Sequence, residues 1–258
     1  MNRRQFITAS TAAITAALAA GPTTTHAQSN EARDFYELSE YTFSSHEQIG
    51  AFHTYMETVA IPAYNRLEIQ PIGVFETQQM SSSIWVLMRH TTLRSFNRAT
   101  KKLFRDEQYL KDGAAFLDAD PKNPAFTRVN TSLLKAFDGL RTLETPVKND
   151  GRIVELRRYM SATVKKARKK IDMFNSGEVG IMQRAGMGPI LFGEHLTGPD
   201  MPNLTYFLSY KDEDAKKQAW ANFLKDPKWK EISTDPQYKD TVSDIVSINL
   251  RPTPYSQI

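Results

Sequence analysis

The sequence predicts an α+β protein built from two tandem repeats, each running strand, helix, strand, strand, helix, strand. Internal repetition is the first observation. Glu37-Leu38-Ser39-Glu40-Tyr41 returns 118 positions later as Glu155-Leu156-Arg157-Arg158-Tyr159, and Pro71-Ile72-Gly73-Val74-Phe75-Glu76 returns at the same offset as Pro189-Ile190-Leu191-Phe192-Gly193-Glu194. Asp106-Glu107-Gln108-Tyr109 matches Asp226-Pro227-Lys228-Trp229 at offset 120, and Thr145-Pro146 matches Thr253-Pro254 at offset 108. The second observation is that, within each repeat, segments of period 2 alternate with segments of period 3.6.

The first repeat, 34–146, opens on a strand over Phe35 to Phe43, with Tyr36, Leu38, Glu40 and Thr42 on one face and Glu37, Ser39 and Tyr41 on the other. Ser44-Ser45-His46-Glu47 offers a cap and an acid, and Ile49, Phe52, Met56, Val59 and Ala60 follow at helical spacing. Ile72 to Thr77 and Ile84 to His90 are strands, Leu93 to Leu103 a helix, and a short helical piece leads to a last strand at Leu140 to Thr145. The turn-rich Val147-Lys148-Asn149-Asp150-Gly151 joins it to the second repeat, 152–254. There, Ile153 to Met160, Ile190 to Leu196, Leu204 to Tyr210 and Val246 to Leu250 are strands. Val164, Ala167, Ile171 and Phe174 mark one helix and Ala215 to Leu224 the other.

This order is the split βαβ, ferredoxin-like arrangement. Such a sheet covers one face with helices and must hide the other. Two of them face to face make a dimeric α+β barrel, here a pseudo-dimer in one chain. The apolar Tyr36/Leu38 and Val154/Leu156 faces are expected under the helices. The opposite faces, with Glu37 and Glu155, are expected to line a polar cleft between the repeats.

Residues 1–27 read as a leader. Arg3-Arg4 precedes Phe6 and an Ala-rich stretch, and Thr25-His26-Ala27 suits a cleavage site, a pattern that resembles a twin-arginine export signal. The expected location is therefore periplasmic or secreted. Removing this segment takes two positive charges and no acid from the formal +4, leaving +2, which argues against a nucleic-acid partner. No run of about 20 apolar residues follows, so no stable membrane insertion is expected once the leader is removed. The absence of cysteine excludes disulfides, thiolate metal sites and cysteine nucleophiles.

The run Trp220-Ala221-Asn222-Phe223-Leu224-Lys225-Asp226-Pro227-Lys228-Trp229 resembles the W-x-x-F-x-x-D-P-x-W pattern of the NIPSNAP family, and Val154-Glu155-Leu156-Arg157-Arg158-Tyr159 resembles its Y-E-L-R-x-Y strand. The first repeat departs from the pattern, with Ser39 where the arginine stands and no D-P-x-W ending. The resemblance implies the dimeric α+β barrel fold and, in bacteria, often an exported protein. It implies no catalytic residues.

Candidate ligand-binding residues are Glu37, Tyr41, His90, Glu155, Arg157, Tyr159, His195 and Tyr210. Glu37 and Glu155 could meet across the pseudo-twofold axis as a carboxylate pair. Arg157 suits an anionic ligand, because a guanidinium clamps a carboxylate with two hydrogen bonds. His90 and His195 are either a general base or haem ligand, or strand-end residues in contact with water. His53 and Glu57 share a helix face, and Lys165 to Lys170 form a wet basic face. No metal is expected, and no cofactor, with haem the one alternative. The leading expectation is a small aromatic or anionic ligand in the inter-repeat cleft. The alternatives are a cofactor-independent oxygenase-like or haem-binding enzyme, and a homo-oligomerising interaction module that uses sheet edges.

Overall fold

The computed structural model describes residues 32–78, 82–146, 148–149 and 151–258. The leader reading lies outside them. Among the described residues, no helix is long and apolar enough to cross a membrane.

Eight strands form the core: β1 (Phe35–Thr42), β2 (Ile72–Thr77), β3 (Ser83–His90), β4 (Arg128–Ala136), β5 (Ile153–Met160), β6 (Gly188–Thr197), β7 (Asn203–Tyr210) and β8 (Asp244–Pro252). They close into a barrel in the order β1-β3-β2-β8-β5-β7-β6-β4, every pairing antiparallel. The first four strands thus lie in the order β4-β1-β3-β2 and the second four in the order β8-β5-β7-β6, the same order in each half. Two seams join the halves. β2 meets β8 over Phe75–Thr77 and Leu250–Pro252, and β4 meets β6 over Leu133–Ala136 and Gly193–Thr197. Each four-stranded half is thus paired with the other along part of both its edges.

The fourth strand is Arg128–Ala136, not Leu140–Thr145, where only an isolated bridge of Leu140 to Phe137 occurs. The Thr145-Pro146 and Thr253-Pro254 match is therefore not a structural equivalence. Thr253 directly follows β8, whereas Thr145 lies nine residues beyond β4.

Helices cover the outside: α1 (His46–Tyr55) and α2 (Ile61–Arg66) around a π-turn at Met56–Ala60, then α3 (Leu93–Leu103) and α4 (Glu107–Leu117). In the second half, α5 (Val164–Met173) and α6 (Val179–Arg184) flank a π-turn at Phe174–Glu178, followed by α7 (Glu213–Lys225) and α8 (Pro227–Thr234). Caps explain where they start. Ser45 Oγ accepts from Gln48 N at 3.2 Å, Thr163 Oγ1 from Lys166 N at 3.2 Å, and Asp212 Oδ1 from Ala215 N at 2.8 Å. The repeated Asp-x-x-aromatic motif proves to be a cap too. Asp106 Oδ1 accepts from Tyr109 N at 3.0 Å and Asp226 Oδ1 from Lys228 N at 2.8 Å. Gly186, at φ 96°, stops α6 in the left-handed conformation that favours glycine, so the Gly-Met-Gly-Pro run is a helix end.

The inward and outward faces are the reverse of expectation. Tyr36, Leu38, Val154 and Leu156 point into the barrel, where they pack with Phe75, Trp85, Leu87, Leu134, Leu191 and Phe207 in one apolar cluster drawn from both halves. The Phe75 and Phe207 rings, one from each half, lie 5.8 Å apart. Truncating either to alanine should cost about 3–5 kcal/mol. Water is excluded from a closed barrel, so the strands place their more apolar face there. The faces bearing Glu37 and Glu155 turn outward beneath the helices, and an open polar cleft between the sheets does not form. Val164, expected in the α5 stripe, is exposed, while Ala167, Ile171 and Phe174 are buried as the spacing predicts.

Candidate functional site

Beneath α7 the outward face of β5 carries a concentrated polar network. Glu155 is 1% exposed and is surrounded by donors. Its Oε1 receives Ser247 Oγ at 2.8 Å, Arg157 Nη1 at 3.0 Å and Lys216 Nζ at 3.3 Å. Its Oε2 receives Trp220 Nε1 at 3.0 Å and Tyr210 Oη at 3.1 Å. Burial pushes this carboxyl up, but Lys216, Arg157 and the hydrogen bonds from Ser247 and Trp220 outweigh it, so the group is held below the usual carboxylate range. Arg157 also stacks over Trp220 at 4.7 Å and Tyr159 at 5.5 Å. Tyr206 Oη donates to Tyr159 Oη at 2.8 Å.

The first half holds the counterpart. His90 Nε2 lies 3.3 Å from Glu37 Oε2, and His90 Nδ1 lies 3.2 Å from Ser95 Oγ. The registers agree: β1 sets Phe35 opposite His90, and β5 sets Ile153 opposite Tyr210. His90 and Tyr210 are thus equivalent, and each faces the equivalent glutamate. Ser39 Oγ, at the position of Arg157, contacts Thr131 Oγ1 at 2.8 Å. Tyr41 packs on Phe52 and Phe126, and burial with the nearby Glu37 pushes its phenol up to about 12.

These positions correct two expectations. Glu37 and Glu155 do not approach each other, because the apolar interior separates their outward faces. His90 and His195 are buried, at 0% and 3% exposure, not wet strand ends. His195 points inward from β6, with Nε2 2.8 Å from Thr205 Oγ1. Burial and the neighbouring Arg158 press its pKa down to about 3, so the imidazole is neutral. Both ring nitrogens of His90 are engaged with side chains of the fold, which does not suit an axial haem ligand.

Two other readings resolve. His53 pairs with Tyr255 at 2.5 Å and Glu76 at 3.0 Å instead of Glu57. Lys170, expected on the wet basic face, is buried, with Nζ 2.7 Å from Glu178 Oε2 and 4.6 Å from the Phe174 ring centroid. Burial raises the Glu178 carboxyl, and Lys170 opposes it. Among the described residues, no group of three or more His, Cys, Asp or Glu is arranged to hold a metal.

Space for a ligand occurs at the β2–β8 seam. β8 starts at Asp244, yet its hydrogen bonding toward β2 begins only at Asn249, whose carbonyl accepts from Gln78 N at 2.9 Å, so a gap opens alongside Ser247 and Ile248. A cavity of about 460 Å³ fills it, lined by Glu40, Thr77, Ser83 and Trp85 from the first half and by Lys216, Ser247, Ile248 and Asn249 from the second. Trp85 Nε1 is buried there without a hydrogen-bond partner. Lys216 Nζ contacts Asn249 Oδ1 at 2.5 Å and bridges this cavity to Glu155. The Arg158 guanidinium lies 5.9 Å from the Trp85 ring, on the interior side. The opposite seam is closed. Gly198, at φ 141°, lies so near Ser132 that a Cβ would overlap its side chain. Sequence reasoning missed Trp85 and Lys216. The unbroken apolar run Ile84–Met88 was the available signal, because a strand apolar on both faces is covered on both.

Fold and site together define an α+β barrel protein with a polar sheet–helix layer. The NIPSNAP family model matches residues 154–257, the second half of the barrel. The barrel is also similar to that of a monooxygenase candidate from Fusobacterium nucleatum, at 11% identity and a TM-score of 0.57 over 86% of this chain and 93% of that one. A second monooxygenase candidate, from Lactobacillus acidophilus, aligns at 10% identity and a TM-score of 0.56 over 85% and 94%. A NIPSNAP-like domain protein from Burkholderia xenovorans shares 19% identity over 43% of this chain and 92% of its own, at a TM-score of 0.38. The likeness to the first two of these shows the fold alone. No functionally curated protein matches the chain.

Proposed function

We propose that this is an exported binding protein, made of two fused ferredoxin-like repeats, that holds a small aromatic or anionic molecule at the β2–β8 seam. The observation that carries the reading is the buried, unpartnered indole N–H of Trp85 on a cavity whose walls come from both halves. A buried donor without an acceptor costs about 1–3 kcal/mol, which a ligand oxygen would recover. The ammonium of Lys216 at the same cavity favours a carboxylate, and the indole face favours an aromatic ring. The duplicated strand order and the paired Glu37–His90 and Glu155–Tyr210 contacts support the fused repeats, bounded at 34–146 and 152–254. The Arg3-Arg4 leader supports export to the periplasm or beyond.

Calorimetric titration with a panel of aromatic carboxylates tests the binding. Trp85→Phe should keep its melting temperature within a few degrees and weaken binding about tenfold, the equivalent of one lost hydrogen bond. Lys216→Met should weaken carboxylates and spare their neutral amides. Equal affinities in native protein and Trp85→Phe would sink the assignment. Export is tested by replacing Arg3 and Arg4 with lysine and following the protein by cell fractionation; unchanged export would remove the twin-arginine route.

A further inference from the structure

Beyond the last residues of β8, at Arg251 and Pro252, the chain turns along β2 and builds a second cavity. Thr253 N donates to Val74 O at 2.9 Å, Gln257 N to Ile72 O at 2.9 Å, and Val74 N to Ser256 Oγ at 3.1 Å, which fixes this segment as a wall. The cavity, about 380 Å³, is lined by Lys148, Arg152, Arg251, Thr253 and Ser256 among others. Three of these are cations, and among the described lining residues there is no carboxylate.

The polar atoms of the wall are incompletely used. Arg152 is 7% exposed. Its Nη2 donates to Ile258 O at 2.9 Å and its Nη1 to Pro146 O at 3.4 Å, but its Nε is buried without a partner. Thr253 is 6% exposed, and its buried Oγ1 has the Tyr255 hydroxyl as its one side-chain neighbour for hydrogen bonding. Lys148 Nζ donates to Ser256 O at 2.9 Å, which leaves two of its three N–H donors for another acceptor. Arg251 stands opposite Glu76 in the β2–β8 ladder, yet the two make no ion pair. Donor capacity is therefore left over on the described walls of this cavity.

We propose that this cavity binds a phosphate oxyanion, free or carried by a small molecule. Arg152 Nε and Thr253 Oγ1 would supply donors from the buried wall, and Lys148 and Arg251 charge from the rim. Two or more negative charges are called for by three cations, and a tetrahedral oxyanion can accept from donors on several sides at once. The site is independent of the Trp85 cavity, which lies along Ser247–Asn249, before the tail begins.

Calorimetry of the full chain with inorganic phosphate at low ionic strength tests the proposal, with sulfate as the tetrahedral mimic and chloride as the control. Phosphate should bind at millimolar or lower concentration and raise the melting temperature. Arg251→Ala and Lys148→Met replace exposed side chains, so both should fold as the native protein does while weakening phosphate binding about tenfold each. Lys225→Ala, an exposed cation at the end of α7, should leave binding unchanged. Absence of binding, unaltered affinity in Arg251→Ala and Lys148→Met, or an equal loss in Lys225→Ala would each overturn the site. None of these outcomes bears on Trp85.

Discussion

Trp220 Nε1, on α7, donates to Glu155 Oε2, on β5, across 3.0 Å, so a helix and the strand beneath it are joined by a charge-assisted hydrogen bond in a buried layer. The same carboxylate holds Lys216, one helical turn earlier on α7. The helix is therefore docked by polar contacts at two points, in addition to Phe223 and Ala219 in the apolar layer.

Removing this carboxylate charge should be costly. Glu155→Gln leaves Lys216 and Arg157 without their counter-charge in a buried layer, and the expected loss is about 3–5 kcal/mol in urea unfolding. Trp220→Phe removes one donor and should cost about 1–3 kcal/mol. A Glu155→Gln variant as stable as the native protein would show that the network is energetically idle.

Acid should unfold the protein in two windows. His195 has a folded-state pKa of about 3, below its usual 6.5, so the unfolded chain binds the proton first. Stability from this group is complete above pH 6.5 and falls as pH drops toward 3, by about 1.4 kcal/mol per unit. Glu155 is also held low, so its contribution is present above its usual value of 4.5 and is lost as pH falls below that. Between pH 6.5 and 4.5 only the first of these acts. His195→Gln should flatten the stability profile there by roughly 2–3 kcal/mol, while Glu155→Gln should lower the whole profile and change its slope only in the more acidic limb. Urea midpoints at half-unit pH steps separate the two.

The buried Lys170–Glu178 pair should be worth little as a pair and much as a half. Lys170→Met strands the buried Glu178 carboxylate and should cost about 3–5 kcal/mol, whereas Lys170→Met with Glu178→Leu should lie within about 1–2 kcal/mol of the native protein. A double-mutant cycle by thermal unfolding measures both. Equal losses in the single and double variants would contradict this account.

The Gly198 seam should tolerate no side chain. Gly198→Ala meets both an unfavourable φ and the Ser132 side chain, and an expected loss of about 1–3 kcal/mol follows. Ser132→Gly in the same chain should relieve part of it, because it removes the atoms that a Cβ would strike.

The strand order was legible because each strand announces itself by local alternation, as in Ile72–Thr77 and Ile153–Met160, which the structure reproduces residue for residue. The helices α4 and α8 were not anticipated, although Asp106 and Asp226 mark their first turns. Their repeated Asp-x-x-aromatic motif was visible as repetition and not as a cap. Lys170 was hidden because its partner Glu178 closes a π-turn, outside any fixed helical spacing. The inward and outward faces could not be settled from β1 or β5 alone, since Glu37 and Glu155 look like cleft residues until Lys216 and Trp220 arrive from α7, more than sixty residues away. β3 and β7 carried the missing information. Nearly all of their residues are buried, so both sides of the sheet are covered and the more uniformly apolar side belongs inside.

The two seams lie within one polypeptide, with β2 reaching β8 and β4 reaching β6. Barrel closure is thereby a first-order event, governed by the effective concentration that the linking chain imposes and not by how much protein is present. Dilution cannot open the seams, and the melting temperature of the barrel should be the same at nanomolar as at millimolar protein. An assembly of two separate chains would not have that independence.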